Sequence, residues 1–293
     1  MIGELAGLAC AALWATISLM MRAVADRMPA TAVNGMRCAI AASTLFLILL
    51  VSGRLDRLAT MPQGTIIAIV VSGVVGQAVG DALFVASAKL IGASRALPLS
   101  GASPLLTVGL AIAFFGEQLP ALALLGAVLV VGGVYLLATP VSPFRQVGFL
   151  AGADKRGLLL ALVAAVCWSF STLILRDGIG EVDLMAANTL RLVVATISLA
   201  SLEIVMVGPR IPKGLDRRAW ALMLPAGAMS AFSSLMYLTS VYYAGAAKAS
   251  VINATSPLFG LPLALLFLHE RISRRVVFGT GLCVLGLWLV LWR

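Results

Sequence analysis

SGASPLLTVGLAIAFFGE, from Ser100 to Glu117, is an apolar run with a Ser-Pro in its first third and a glutamate where it meets water. NATSPLFGLPLALLFLHE, from Asn253 to Glu270, writes the same pattern again, 153 residues later in a chain of 293. In both copies thirteen positions separate the proline (Pro104, Pro257) from the closing glutamate. Self-similarity at a fixed period marks an internal duplication, and it sets how the rest of the chain is read.

Composition decides the solvent. Hydrophobic residues make up 61% of the chain and charged residues 11%, against about 25% charged in a soluble domain. Mean hydropathy is +1.06. Apolar runs of about twenty residues recur, long enough as helices to cross ~30 Å of hydrocarbon. In lipid a helix satisfies its backbone groups internally, whereas the ~10-residue alternating strands of a membrane barrel are missing from the sequence. The net charge of +9 is spread singly between apolar runs, which fits anionic headgroups rather than nucleic acid. Cys10, Cys38, Cys167 and Cys283 lie in apolar segments without paired spacing, so they read as packing residues, neither disulfides nor metal ligands. The first apolar run lacks a basic leader and reads as a first span.

Ten spans are expected, at about 3–21, 33–52, 64–88, 96–115, 119–138, 157–176, 184–207, 219–243, 247–268 and 274–292. A linker over 140–156 divides a first five-helix repeat, 1–139, from a second, 157–293. Gly3, Trp14, Asn34 and Arg37 recur 154 residues on as Gly157, Trp168, Asn188 and Arg191. Gly92-Ala93-Ser94-Arg95-Ala96 recurs as Gly245-Ala246-Ala247-Lys248-Ala249, and Gly126 and Gly133 recur as Gly279 and Gly286. Because five is odd, the second copy must lie inverted in the membrane. The expected fold is thus an all-α integral membrane protein, ten transmembrane helices as two inverted five-helix repeats around a central cavity. That plan belongs mainly to secondary transporters, with substrate held near the midplane between repeats. Both termini fall on one side. Fourteen of the Lys and Arg residues lie in the loops after the odd-numbered spans, which under the positive-inside rule places the termini outside.

Polar residues deep in a span are functional candidates. In span 3, Gln77 and Asp81 lie one turn apart beside Gly73, Gly76 and Gly80, a small-residue ridge for close helix packing. Asp81 is read two ways: structurally paired with Arg37 or a backbone donor, or facing a cavity. Span 8 puts Ser230, Ser233, Ser234 and Tyr237 on one face, either as interhelical hydrogen bonding or as cavity lining. Ser100 and Ser103, and then Asn253, Thr255 and Ser256, precede Pro104 and Pro257, where a missing N–H frees a carbonyl; either the neighbouring hydroxyls satisfy that carbonyl or the kink is where a gate bends. Trp14 and Trp168 sit mid-span, each followed one turn later by a hydroxyl, Ser18 and Thr172. They read as core packing or as opposite walls of one pocket. Asn34, Arg37, Asn188 and Arg191 are assigned structural roles, with the arginines snorkelling or holding helix ends. Glu117 and Glu270 read as solvated helix-end residues. HExxH, GxSxG and P-loop motifs are missing, and the single His269 is peripheral, which excludes the common soluble-enzyme chemistries.

The mid-span Trp of each first helix, the Gly-Ala-x-Arg/Lys-Ala step and the Ser-Pro followed by a closing Glu resemble the ten-helix EamA-type members of the drug/metabolite transporter superfamily. The similarity runs through both halves and is closest to bacterial amino-acid and metabolite exporters, including aromatic amino-acid exporters. It implies a basket of helices 1, 3, 4, 6, 8 and 9 about a central cavity, and cytoplasmic termini, opposite to the basic-residue count. The four-helix multidrug relatives carry a mid-membrane glutamate in helix 1, where this chain has only Glu4 at the helix end.

The reading is a multi-pass secondary transporter of the bacterial inner membrane, exporting small polar or zwitterionic metabolites, amino acids foremost, by alternating access. Its partners are the lipid bilayer and the small-molecule substrate, with no nucleic acid and no cofactor or metal, and a monomer suffices. The rivals are a multidrug exporter of the same fold and a membrane-embedded enzyme or lipid-handling protein.

Overall fold

The structure, a computed structural model, describes residues 1–25, 30–91, 96, 99–138, 154–208, 216–260 and 274–292. These are mostly helical, with no strand among them. The longer helices are α1 (Ile2–Ala25), α2 (Ala30–Val51), α3 (Gln63–Ile91), α4 (Ser103–Phe115), α5 (Ala121–Ala138), α6 (Lys155–Gly178), α7 (Leu184–Val207), α8 (Arg217–Ala244), α9 (Ala246–Asn253) and α10 (Arg274–Leu291), and a single turn, Asp56–Ala59, joins α2 to α3. Six of them, α1, α2, α3, α6, α7 and α8, contain apolar segments of 20 to 29 residues, long enough to cross a bilayer; α4, α5 and α10 are shorter apolar helices. The chain is therefore a multi-pass membrane protein.

Local chemistry sets the helix ends. Asp154, Asp183 and Asp216 are side-chain caps for the first N–H groups of α6, α7 and α8, the usual service of an aspartate at that position. Helix α6 consequently begins at Lys155, inside the stretch expected as linker; 139–153 lie outside the described residues. Gly116 ends α4 at φ +61° and Gly245 ends α8 at φ +85°, conformations that favour glycine.

Spans 4 and 9 differ from expectation. Neither is one helix bent at a proline. Helical residues 99–100 give way to a turn at 101–102 before α4 starts at Ser103, with Pro104 in its first turn. In the same way α9 stops at Asn253, turns at 254–255, and resumes as helix over 256–260 with Pro257 second. Proline's missing N–H is harmless in a first turn, so each proline begins a new helix instead of straining an old one. Residues 261–273, including Glu270, lie outside the described set.

Packing pairs α1 with α8, α3 with α6, α2 with α7, α2 with α8, α3 with α7, α4 with α6, α1 with α9, α4 with α9, and α5 with α10. Small residues set the closest approaches, as membrane helices require. A methyl at Gly126 would sit 2.5 Å from the Gly286 carbonyl oxygen, and one at Gly133 would sit 2.6 Å from that of Gly279. The earlier residue of one helix meets the later of the other, so α5 and α10 run antiparallel. A methyl at Gly3 would fall 2.6 Å from the Ala244 nitrogen, and one at Gly157 would fall 2.5 Å from Ile91.

Candidate functional site

Helix α3 is unusual in its middle. Gly73–Gly80 form a π-helical stretch between two α-helical segments. The Gln77 carboxamide lies within this stretch and the Asp81 carboxylate follows it directly. Such wide turns are rare and are frequent at functional sites. Gly76 and Gly80 face α6: a methyl would come within 2.4 Å of Ser171 Oγ at the first and within 2.8 Å of the Trp168 indole at the second. The glycine ridge is thus a packing face, and it brings Trp168 onto Asp81.

Both oxygens of Asp81 are engaged. Trp168 Nε1 donates to Oδ1 at 3.0 Å, and Asn34 Nδ2 donates to Oδ2 at 2.5 Å. Arg37 does not bond Asp81 directly, as one of the sequence alternatives had it. Its Nε and Nη2 donate to Asn34 Oδ1 at 3.1 and 2.5 Å, so the amide relays between them. The Arg37 guanidinium lies 5.0 Å from the centre of the Trp14 ring, within cation–π range. A continuous polar line therefore runs Trp14, Arg37, Asn34, Asp81, Trp168, joining α1, α2, α3 and α6. Phe84 flanks Trp168 with ring centres 5.6 Å apart.

Other expected residues join this region in smaller groups. Tyr237 Oη and Thr172 Oγ1 share a hydrogen bond at 2.9 Å. Asn188 Nδ2 donates to Ser234 Oγ at 2.8 Å. Cys10 Sγ donates to Asn253 Oδ1 at 3.2 Å and lies 3.5 Å from Ser233 Oγ, so this cysteine links α1, α8 and α9 beyond mere packing. Gln77 Oε1 is buried with no hydrogen-bond partner among the described residues.

Several expected residues serve their own helices. Ser18, Ser100 and Ser230 donate to the carbonyls of Trp14, Ala96 and Ala226. Ser103 contributes its carbonyl, which accepts from Ser169 Oγ at 3.0 Å. Arg37 and Arg191 do not snorkel to the rim; each is 8% exposed, two turns inside its helix. Glu117 is not a solvated end residue either. Its two oxygens accept from the Ala246 and Ala247 N–H groups at 2.9 and 3.1 Å, capping α9 from across the chain. Sequence reasoning missed Ser72 and Ser171, whose hydroxyls meet at 3.0 Å between α3 and α6, and Pro225, which lies inside α8.

Comparison with known proteins agrees with this picture. An uncharacterized transporter of Archaeoglobus fulgidus is 26% identical over 231 residues, 78% of this chain and 76% of its own. One from Clostridium kluyveri is 26% identical over 195 residues, 66% of this chain and 62% of its own. A pseudopaline exporter, CntI, of Pseudomonas aeruginosa is 27% identical over 136 residues, 46% of each chain. A solved crystal structure superposes on 99% of this chain and 97% of its own with a TM-score of 0.78 at 18% identity, a likeness of fold. Residues 1–139 and 155–292 both match the EamA-like transporter family. The chain belongs to the EamA-like transporter family, within the drug/metabolite transporter superfamily.

Proposed function

We propose that this transporter exports small polar or zwitterionic metabolites, amino acids foremost, by alternating access across the bacterial inner membrane. The observation that carries this reading is the polar line from Trp14 to Trp168. It gathers two indoles, a guanidinium, an amide and a carboxylate among α1, α2, α3 and α6, with Arg37 buried and Trp14 itself 39% exposed. Buried polar groups of this kind in a membrane mark a solute path. One carboxylate among amides, hydroxyls and indoles suits a small amphiphile better than a bulky dication.

The reading takes the chain as ten spans in two inverted five-helix repeats, 1–139 and 157–293, about a central cavity, with both termini on one side. Reciprocal contacts support it. Gly3 meets Ala244 as Gly157 meets Ile91, and Asn34 donates to Asp81 as Asn188 donates to Ser234. Helices α5 and α10, which occupy the same place in each half, pack antiparallel on each other. A two-fold axis in the membrane plane generates such pairs, and it gives the molecule two related states that open to opposite sides. The pseudopaline exporter among the relatives supports outward movement of a metabolite.

Counterflow in proteoliposomes tests the proposal. Vesicles loaded with an unlabelled amino acid should transiently accumulate the labelled one, chemically unchanged. Failure with amino acids, alongside success with cationic dyes, would replace the substrate class.

A further inference from the structure

We propose that Arg191 anchors a carboxylate of the transported solute, so that the protein selects amino acids and other carboxylates over the corresponding amines. This deepens the transport reading and rests on it. Both halves carry an Asn-x-x-Arg in their second helix, and the two motifs are used differently. In the first half the motif is closed: Arg37 holds Asn34 Oδ1 with two donors, and Asn34 passes the contact to Asp81. In the second half it is open. Asn188 donates to Ser234, but among the described residues its Oδ1 is buried with no partner, and so is Arg191 Nε one turn further along α7.

Arg191 is 8% exposed, and among the described residues no carboxylate lies within ion-pairing distance of it. The groups within its electrostatic reach are Tyr237, Cys38 and Asp81. The Tyr237 hydroxyl is engaged with Thr172, and Asp81 is held by Asn34 and Trp168. A guanidinium without an ion-pair partner among the described residues is unfavourable in a membrane interior, and a carboxylate bonded to it lessens that penalty. Two unpaired acceptors on α7 and the adjoining α3 suit the amino group of an α-amino acid. Asn188 Oδ1 and Gln77 Oε1 are buried acceptors without donors, and an ammonium is a group of donors only. Gln77 lies on the π-helical stretch of α3, which packs on α7; Gly73, one turn before it, lies against Val194 and the Arg191 carbonyl.

The test has two arms, both using purified full-length protein. In proteoliposomes, counterflow is measured for a set of L-amino acids, their methyl esters and their decarboxylated amines, with wild type and with Arg191→Gln. The inference expects transport of the acids, little of the esters and amines, and an apparent affinity for the acids at least about 30-fold weaker in Arg191→Gln, the loss typical of removing one partner of a buried charge pair. Equal transport of acids and amines, or acids handled alike by both proteins, overturns it. In detergent, melting temperatures are compared without and with the amino acids. Arg191→Gln should melt higher than wild type in their absence and gain nothing from them, while Arg37→Gln, which breaks a closed motif, should melt lower than wild type. An Arg191→Gln protein that melts no higher than wild type, or fails to fold, marks Arg191 as structural and overturns the inference. If wild type moves none of the solutes, the transport reading falls, and the melting arm alone decides whether Arg191 receives a carboxylate.

Discussion

Trp168 on α6 donates its indole N–H to Asp81 on α3 at 3.0 Å. The bond joins the two halves of the chain at an acid in the middle of α3, and Asn34 takes the second oxygen. Asp81 is thus an acceptor for two protein donors. Asp81→Asn swaps one acceptor for a donor facing a donor, and leaving a buried group unsatisfied costs about 1–3 kcal/mol. The expected result is an apparent KM for the transported solute raised roughly tenfold, with Trp168→Phe giving a smaller rise in the same direction. Initial rates of uptake against solute concentration check both.

The glycine ridge makes a sharp comparison possible. Gly76→Ala and Gly80→Ala place a methyl against Ser171 and Trp168 at under 3 Å, and overpacking of this kind costs about 1–3 kcal/mol. Gly109→Ala on α4 meets nothing within 4 Å. Thermal unfolding in detergent should show the first two destabilised and Gly109→Ala unchanged, with transport lost at Gly80 because the indole is displaced from Asp81.

Glu117 ties the end of α4 to the start of α9 through two N–H bonds. Glu117→Ala removes a cap whose loss is worth about 0.5–2 kcal/mol. Because this tie spans the two halves, its loss should speed the labelling of a cysteine placed at the buried Ala247 and lower the melting temperature. Unchanged labelling would leave the carboxylate as an ordinary cap.

Much of this was written in the sequence. The offset of 153 to 154 residues gave the pairs Gly126 with Gly279 and Gly133 with Gly286, and all four glycines lie in the α5–α10 contact. Of the matched tryptophans and Asn-x-x-Arg motifs, Asn34, Arg37, Trp168 and Asn188 make hydrogen bonds between or within helices, and Trp14 lies against Arg37. Other features depended on distances that spacing does not carry. A π-helical turn changes where Gln77 and Asp81 point, yet it leaves the apolar pattern of α3 intact. That Asn34 stands between Arg37 and Asp81 is a matter of a few ångströms among three helices. Glu117 looked like a residue in water because its partners, the N–H groups of Ala246 and Ala247, are 129 and 130 residues away. The prolines were legible as breaks, but whether a helix bends or restarts was decided by the turns at 101–102 and 254–255.

Those restarts carry their own expectation. With Pro104 in a first helical turn, Pro104→Ala should change stability by no more than about 1 kcal/mol. Pro104→Ala and Pro257→Ala together should nonetheless slow counterflow, since alanine lets the helices run on across the turns. Undiminished flux with both changed would show that the breaks do not move during transport.

The central claim is that the solute passes between Trp14 and Trp168. The chain has five tryptophans, so replacing Trp220, Trp288 and Trp292 with Phe leaves only these two as emitters. Titration of this protein with a transported amino acid should change its fluorescence saturably, at the concentration that half-saturates counterflow. Full transport by the same protein with no change in emission at any concentration would put the path elsewhere and contradict the account.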